Sequence, residues 1–239
     1  MSLTDIPNRT FFANRALDDE LPLVNEVFWA ALIEHIERDC IVSPRVILDI
    51  GCHSGCLLHT LFRRFMPDQM FGIEPLAAAR SAASSLLKTV AANATLLDSS
   101  AWNQIPAGVV DLITSHEVLY LEPDLRDFMS RIHRVIAANG VAYIVLGCHA
   151  ENPLWDSWKA SLVTAGHAVY DHRPFEIMEA ASASGLLASV QPLRQSGWIT
   201  YDPQEAEFPY PDLQTMLDHH YRNKLIFRLR VANARAIAS

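Results

Sequence analysis

The chain has 239 residues, of which half are hydrophobic, and it carries a net charge of −8. This length supports one sizeable core, so a single domain is expected. The acidic balance leaves no basic face to neutralise phosphates, which argues against a nucleic-acid partner. Four cysteines without scaffold spacing, the absence of a visible targeting segment and the lack of a membrane-length apolar run predict a cytoplasmic protein that has no membrane partner. Monomer and homodimer are both open.

The first 44 residues predict an arm and one helix. Residues 1–20 mix aromatic and charged side chains without a sustained period, which is typical of an arm or lid. From Pro22 to Asp39, apolar residues recur at three- and four-residue steps, so a helix with one apolar face is expected. Ser43-Pro44 should end this helix before the first strand.

The stretch from Arg45 to Cys56 predicts a strand, a tight turn and the start of a helix. Its sequence is RVILDIGCHSGC. The mostly β-branched run around Asp49 is typical of a strand that is buried on both faces of a parallel sheet. Gly51 and Gly55 give the turn its conformational freedom and let a ligand approach the backbone. The helix that follows offers unpaired N–H groups and a positive dipole end.

Two classes of cofactor use a glycine turn of this kind. The dinucleotide fingerprint needs glycine where this chain has His53 and Cys56, so NAD is disfavoured. The pattern Asp49-Ile-Gly51-Cys-His53-Ser-Gly55 resembles the first motif of the class I S-adenosylmethionine-dependent methyltransferases, an acidic residue followed by G-x-G-x-G. The resemblance implies that S-adenosyl-L-methionine is the cofactor. His53 replaces the middle glycine, so a side chain borders the binding site.

The second strand ends in an acidic residue. Residues 70–73 predict a strand that is closed by Glu74-Pro75. Glu74 lies about 20 residues beyond the glycine turn, where a carboxylate can accept both ribose hydroxyls of an adenosine cofactor. Alone, Glu74 would be read as a solvated acid at a strand end, but the glycine motif favours the cofactor contact.

An alanine-rich helix, expected from Leu76 to about Asn93, leads to a third strand that ends at Asp98. The family resemblance implies that Asp98 contacts the exocyclic amine of adenine, with Ser99 or Ala101 supplying a neighbouring backbone N–H. Trp102 either stacks on the adenine or packs the loop.

The fourth strand, residues 108–115, is followed by a helix that is predicted over 125–138 and is stopped by Asn139-Gly140. This segment resembles the same family. An acid opens the strand, a polar pair follows it, and Val-Leu, Pro-Asp and Asn-Gly come after. A fifth strand is expected over 141–146.

Beyond residue 150 the pattern is weaker. It predicts a helix with Trp155 and Trp158, a helix over 174–184, a sixth strand over 187–193, an insertion over 197–222 with a helix over 211–221, and a last strand over 225–231. By resemblance, this last strand is antiparallel and lies between the fifth and the sixth.

The alternation of strands and helices predicts an α/β fold with a doubly wound, Rossmann-like, seven-stranded sheet, mostly parallel, with helices on both faces. One domain, 1–239, would comprise the arm and helix (1–44), a cofactor-binding core (45–150) and a substrate-side part (151–239). Ligands bind at the carboxyl ends of parallel strands. The candidate residues at those ends are Asp49, Gly51, Glu74, Asp98, Ser115, His116 and His149.

Methyl transfer is an in-line displacement, so a base is optional. His116 and His149 are the favoured candidates, because an unperturbed imidazole titrates near neutral pH, and Glu117 and Tyr120 are further ones. The alternative for His116 is that it only orients the methionine end of the cofactor. No metal is expected, because zinc beside the glycine turn would block the cofactor and because adjacent helical residues such as His219-His220 do not share a face.

The sequence therefore predicts methyl transfer from S-adenosylmethionine to an oxygen, nitrogen or carbon of a small aromatic or hydrophobic acceptor. Another enzyme on this fold, for example an aminopropyl transferase, and a noncatalytic cofactor-binding protein are the alternatives. A nucleic-acid amino methyltransferase is disfavoured, because Asn/Asp-Pro-Pro-aromatic is absent after the fourth strand. Residues 1–20 and 197–222 are expected to close together over the acceptor.

Overall fold

The computed structural model describes residues 11, 15–39, 42–90, 93–194, 197–199 and 208–232. Seven strands form one sheet: β1 (Val46–Ile50), β2 (Gln69–Ile73), β3 (Ala94–Leu97), β4 (Val110–His116), β5 (Ile136–Leu146), β6 (Leu186–Pro192) and β7 (Leu225–Val231). Their order is β3-β2-β1-β4-β5-β7-β6, and β7 is antiparallel to both of its neighbours. The predicted fold class and the place of the last strand are confirmed.

The helices precede β1 and connect most of these strands. They are α1 (Arg15–Asp39), α2 (Cys56–Phe65), α3 (Ala77–Lys88), α4 (Leu125–Val135), α5 (Trp155–Thr164), α6 (Pro174–Ala183) and α7 (Leu213–Asp218). A π-helical turn, His219–Asn223, continues α7 and leads into β7. Every helix in the described ranges is too short or too polar to cross a membrane.

Each face of the sheet buries its own core, because successive side chains of a strand point to opposite faces. In β1, Ile47 packs with Leu32 of α1 and Leu58 of α2 on one face. Its neighbour Leu48 packs on the other face, in the core that contains Ile132 of α4. The sheet is therefore covered on both sides, and the carboxyl ends of its parallel strands form one open edge.

The sheet has its topological switch point between β1 and β4. Ile50, the last residue of β1, pairs with Ile73 of β2 on one side and with Ser115 of β4 on the other. The connections that leave β1 and β4 run to opposite sides, which opens a crevice where ligands bind in folds of this type.

The first helix begins earlier than its sequence predicted. It starts at Arg15, and Pro22 lies inside it. Proline favours the first helical turn, but inside a helix it removes one backbone hydrogen bond and does not always end the helix. Here the helix continues through it.

The Asn139-Gly140 pair was expected to stop a helix, but it lies inside β5. The helix α4 ends at Val135, and the pairing register of β4 and β5 shifts between Val110 and Leu112. A Cβ on Gly140 would lie 2.6 Å from the Val110 carbonyl oxygen, so glycine permits the strands to approach at this irregularity.

Other boundaries differ by less. The alanine-rich helix ends at Lys88 rather than near Asn93, and α7 ends at Asp218, where the π-helical turn replaces its last residues. Of the two predicted lid segments, residues 1–10, 12–14 and 200–207 lie outside the described residues.

Candidate active site

The glycine turn after β1 is shaped by two close approaches. Gly51 has φ +75°, and a Cβ there would lie 2.3 Å from Val118 Cγ2, so the segment after β4 packs directly on it. Gly55 has φ +83°, and its Cβ would lie 2.9 Å from the Cβ of Ala83 in α3. Gly51 lines the cavity at the sheet edge, whereas Gly55 serves the packing of α2 against α3 and does not line it.

Asp49 is a buried carboxyl group beside this turn. Its Oδ1 accepts a hydrogen bond of 2.7 Å from the Thr114 hydroxyl. Burial raises the pKa of Asp49 to about 7, and the nearby carboxylate of Glu74 adds to the shift. Because a buried carboxylate is costly without a cation, the site favours a positively charged group at Asp49.

Glu74 is buried at the end of β2 and is tied to the glycine turn. One carboxyl oxygen accepts the His53 N–H at 2.9 Å, and the other accepts the Leu76 N–H at 2.8 Å. Burial raises the pKa of Glu74, and these two N–H groups oppose the shift. His53 holds φ +44°, a conformation that side chains rarely adopt, so this contact fixes the middle of the turn.

Asp98 lies at the end of β3 but does not line the cavity. Its carboxylate accepts hydrogen bonds from the Ser100 N–H and hydroxyl, each at 3.0 Å, and from Arg80 at 3.0 Å. These contacts lower the pKa of Asp98, with the Ser100 N–H as the main cause. Arg80 also donates to the carbonyl oxygens of Glu74 and Pro75, so Asp98 ties the ends of β2 and β3 together.

A cavity of about 540 Å³ runs along the carboxyl edge of the sheet. This volume lies within the range of about 300–1,000 Å³ that is usual for small-molecule sites. One half is lined by predicted cofactor residues: Asp49, Gly51, His53, Glu74, Pro75, Ser99 and Trp102. The predicted residues that do not line it are Gly55, Asp98, Ser115 and His149.

Trp102 closes the β3 side of this half. Its side chain is 5% exposed, and it contacts the ring of Phe128 edge-on at 6.4 Å. The guanidinium of Arg131 lies 5.3 Å from the centre of the indole. Trp102 is therefore packed against α4 and forms one wall of the cavity.

His116, at the end of β4, lines the other half of the cavity. Its ring lies 6.2 Å from that of Phe28 and 6.3 Å from that of Trp29, both in α1. Burial, followed by the positive charge of Lys224, lowers the pKa of His116 to about 3. The imidazole is therefore neutral, and its Nε2 is buried without a hydrogen-bond partner among the described residues.

His149 lies behind the cavity wall. Its Nε2 makes a 2.7 Å hydrogen bond to the carbonyl oxygen of Asn223, at the end of the π-helical turn. Burial lowers its pKa. Ser115 is also fully buried, in the sheet itself.

A buried ion pair that sequence reasoning missed joins the ends of three strands. Lys224, which precedes β7, lies 2.8 Å from Glu117 after β4, and Glu117 also accepts the Gly147 N–H after β5 at 2.7 Å. Burial raises the pKa of Glu117, but Lys224 outweighs it and the net pKa falls to about 2. The Lys224 ammonium also lies 3.6 Å from the ring centre of Phe28. No local sequence pattern indicates an ion pair between residues that lie more than 100 positions apart.

His219 lines the cavity and His220 does not, but both rings lie near that of Phe28, although adjacent residues of an α-helix were expected to diverge. Their rings lie 6.1 and 4.9 Å from that of Phe28. The π-helical turn changes the angle between successive side chains, so the α-helical geometry used in the prediction does not apply here. Burial lowers the pKa of both imidazoles, to about 4 for His220. In the described part of the chain, no cluster of three or more His, Cys, Asp or Glu side chains is placed to hold a metal.

Comparison with known proteins identifies the family. A family model for a methyltransferase domain matches residues 25–186, and the chain belongs to this family. No curated protein matches the chain. The match covers the glycine turn and the carboxyl ends of β1 to β5, whereas the π-helical turn and Lys224 lie beyond it.

Solved structures share the fold at low sequence identity. One is a chain in the complex of the Haloferax volcanii Trm112 methyltransferase activator with a protein described as a methyltransferase (TM-score 0.74, 19% identity, 94% of this chain and 98% of that chain). A second is geranyl diphosphate C-methyltransferase from Streptomyces coelicolor, bound to S-adenosylhomocysteine (TM-score 0.66, 14% identity, 97% and 89%). A third is phosphoethanolamine N-methyltransferase 2 from Haemonchus contortus, bound to S-adenosylmethionine (TM-score 0.63, 16% identity, 87% and 56%).

The protein is thus a class I methyltransferase, and the cofactor of this family is S-adenosylmethionine. The fold, the enzyme class and the cofactor inferred from the glycine motif are confirmed. Several of these neighbours act on small molecules.

Proposed function

We propose that the protein transfers a methyl group from S-adenosylmethionine to an oxygen, nitrogen or carbon atom of a small, largely apolar acceptor in this cavity. The observation that carries the proposal is Glu74, a buried carboxylate at the end of β2 that is held against the glycine turn by the His53 N–H. Its oxygens retain lone pairs for further donors, as the two ribose hydroxyls would be.

In the cofactor half, each strand end holds a different part of the cofactor. Asp49 and the turn at Gly51–His53 hold the amino-acid end, Glu74 holds the ribose, and Ser99 and Trp102 border the adenine. The bound cofactor supplies an electrophilic methyl group on a sulfonium. Asp49 suits this ligand because its buried carboxyl group meets the ammonium that it otherwise lacks.

The remaining predicted cofactor residues act through others. Asp98 orients Arg80, which in turn holds the carbonyl oxygens of Glu74 and Pro75. Gly55 permits the close packing of α2 on α3. Ser115 lies in the sheet beside Ile50 and does not line the cavity.

On the acceptor half, His116 is the residue that takes the proton from the acceptor. It is neutral and lines the cavity, whereas His149 is bonded to the backbone of Asn223 and positions the π-helical turn. Phe11 of the predicted arm and Phe208 and Tyr210 of the predicted insertion also line the cavity, which supports the proposal that these segments close over a small acceptor. We also propose that residues 1–239 form one domain. It comprises the arm and first helix (1–44), the cofactor-binding core (45–150) and the substrate-side part (151–239).

Calorimetry with S-adenosylhomocysteine and with NAD tests the proposal. The parent should bind the first and not the second. Glu74→Ala removes hydrogen bonds to a charged group, each worth about 1.5–3 kcal/mol, so the affinity for S-adenosylhomocysteine should fall at least tenfold. From the sequence alone, Glu74→Ala is expected to leave the fold intact, because an acid at a strand end has no core role. The loss of the contacts of Glu74 to His53 and Leu76 should nevertheless lower the melting temperature.

The matched control is Glu179→Ala, which removes an exposed glutamate of α6. This variant should bind S-adenosylhomocysteine as the parent does. Unchanged affinity in a folded Glu74→Ala protein, or tight binding of NAD by the parent, would contradict the assignment of this half.

A further inference from the structure

Two polar atoms of the acceptor half are buried without a hydrogen-bond partner in the part of the chain that the structure describes. They are Nε1 of Trp29 and Nε2 of His116, and both side chains line the cavity. The two rings lie 6.3 Å apart at an interplanar angle of 76°. A buried polar atom without a partner costs free energy, so two of them on neighbouring rings that line the same cavity indicate a ligand group that satisfies both.

The two atoms differ in what they can offer. The indole N–H of Trp29 can only donate, whereas a neutral imidazole has one nitrogen that accepts. With its proton on Nδ1, His116 presents Nε2 as an acceptor. A ligand atom between them must therefore accept one hydrogen bond and donate another.

We propose that Trp29 Nε1 and His116 Nε2 together bind the hydroxyl group of a planar aromatic acceptor, and that this hydroxyl oxygen is the atom methylated. This inference rests on the proposed function and narrows it to O-methylation. A hydroxyl oxygen accepts from Trp29 while its proton is donated to His116. A carboxylate or phosphate dianion has no proton to donate, an alkylammonium has no lone pair, and the nitrogen of an arylamine is a weak acceptor because its lone pair is delocalised into the ring.

The charges around the pair favour an uncharged acceptor. Lys224 is the lysine that lines this half, and its ammonium is already held by Glu117 at 2.8 Å. No arginine lines the cavity in the described residues. An anionic acceptor would therefore find no uncompensated cation, and its desolvation would not be repaid.

The rings on this half suit a flat molecule. Phe28, Trp158 and Tyr210 line it, and they are fixed against each other and against His219 by edge-on and tilted contacts between 4.8 and 6.1 Å. Rigid aromatic walls bind planar rings by stacked and edge-on contacts.

The low pKa of His116 keeps its imidazole neutral and able to accept a proton, and the transfer conserves the total charge of the site. The oxygen–methyl bond forms as the methyl–sulfur bond breaks, S-adenosylhomocysteine leaves neutral at sulfur, and the hydroxyl proton passes to His116 Nε2. The positive charge thus moves from sulfonium to imidazolium within the cavity. Since a sulfonium nearby opposes a protonated imidazole, the proton leaves the hydroxyl only as the methyl group arrives.

Binding of matched probes to the protein saturated with S-adenosylhomocysteine tests the pair. The probes are 2-naphthol, 2-naphthylamine, 2-naphthyl phosphate and 2-methoxynaphthalene, and calorimetry measures each affinity. We expect 2-naphthol to bind at least tenfold more tightly than the amine or the phosphate.

Two variants separate the partners. Trp29→Phe removes the donor and His116→Leu removes the acceptor, and each should weaken 2-naphthol binding about five- to tenfold, as expected for one hydrogen bond. The probe 2-methoxynaphthalene accepts but cannot donate, so Trp29→Phe should weaken its binding and His116→Leu should not. Phe175→Leu, a change at an aromatic residue of α6 that is 67% exposed and does not line the cavity, is the control and should leave every affinity unchanged.

The inference is overturned if the phosphate or the amine binds more tightly than 2-naphthol, if no probe binds, or if Trp29→Phe binds 2-naphthol like the parent. Failure of the parent to bind S-adenosylhomocysteine would instead count against the proposed function, because that measurement is made first and without any probe. Methylation of the naphthylamine nitrogen would leave the proposed function intact and refute O-methylation.

Discussion

The two halves of the cavity are built in different ways. The cofactor half is made of short segments at the ends of β1, β2 and β3, all within residues 49–102, and its contacts join residues a few positions apart or on neighbouring strands. The acceptor half brings together α1, the end of β4 and the residues before β7, which are separated by up to almost 200 positions.

This difference explains why cofactor binding can be common to a family while acceptor recognition is particular to one protein. A cofactor that all members of a family share can be held by a local motif, because the strand–turn–helix geometry recurs wherever that motif occurs. An acceptor is recognised by side chains that only the complete fold brings together. The acceptor half should therefore depend on tertiary contacts more strongly than the cofactor half does.

Lys224→Met gives the largest expected effect, because it leaves Glu117 buried without its cation. Breaking one partner of a buried ion pair costs about 3–5 kcal/mol of the free energy of unfolding. Urea denaturation measures it. Arg45→Met is the matched control, since the pair of Arg45 with Asp68 is exposed, and such pairs contribute about 0–1 kcal/mol.

The double variant Glu117→Gln, Lys224→Met should recover part of that loss, because the unpaired charge is then absent. Equal, small losses for Lys224→Met and Arg45→Met would show that the acceptor half does not depend on this pair.

The next effect concerns the cofactor half and is a dependence on pH. With a pKa of about 7 in the free protein, Asp49 is mostly protonated at pH 6, whereas beside the ligand ammonium it should be ionised. Binding of S-adenosylhomocysteine should then release a proton, and its affinity should rise by roughly tenfold per pH unit up to about pH 7 and level off above it.

Calorimetry in buffers of different ionisation enthalpy counts the released protons. Asp49→Asn should bind more weakly and lose this pH dependence. A parent whose affinity is flat between pH 5 and 7 would mean that Asp49 is already ionised when the site is empty.

The smallest effect is a control at the opposite edge of the sheet. Met66 ends α2 with φ +49° and is 74% exposed, so Met66→Gly should raise the free energy of unfolding by about 0.5–1 kcal/mol because glycine adopts this conformation without strain. Affinity for S-adenosylhomocysteine should not change. Met66→Ala keeps the strain and should give no gain; a gain equal to that of glycine would show that the backbone at Met66 is unstrained.

The sequence predicted the sheet and the strand ends that bring Asp49, Gly51 and Glu74 to the cavity, because these depend on local patterns. The run before Asp49, the glycine turn and the acid at Glu74 each carry their signal within a few residues. Asp98 is an exception, since it does not line the cavity. Asp98 matched a family position, but its contacts to Arg80 and Ser100 depend on how α3 packs beside β3.

The acceptor half was largely missed for the same physical reason. His116 was found because it follows a strand, but its contact with Trp29 depends on where a helix 87 positions earlier packs. Lys224 reads as an ordinary surface lysine in the sequence, and it is 3% exposed because Glu117 and Phe28 surround it. A lysine in a strand-like context carries no local sign that it will be buried.

The π-helical turn has a consequence for how the acceptor half can change. Its backbone bond from the Lys224 N–H to the His219 carbonyl oxygen, 2.9 Å long, spans one residue more than an α-helical bond. Deleting a single residue between them would restore α-helical geometry and rotate the side chains beyond the deletion by about 100° relative to those before it. His220 and Lys224 could not both keep their present partners. A one-residue change in length would thus replace several contacts of the cavity wall at once, whereas a point substitution alters a single side chain.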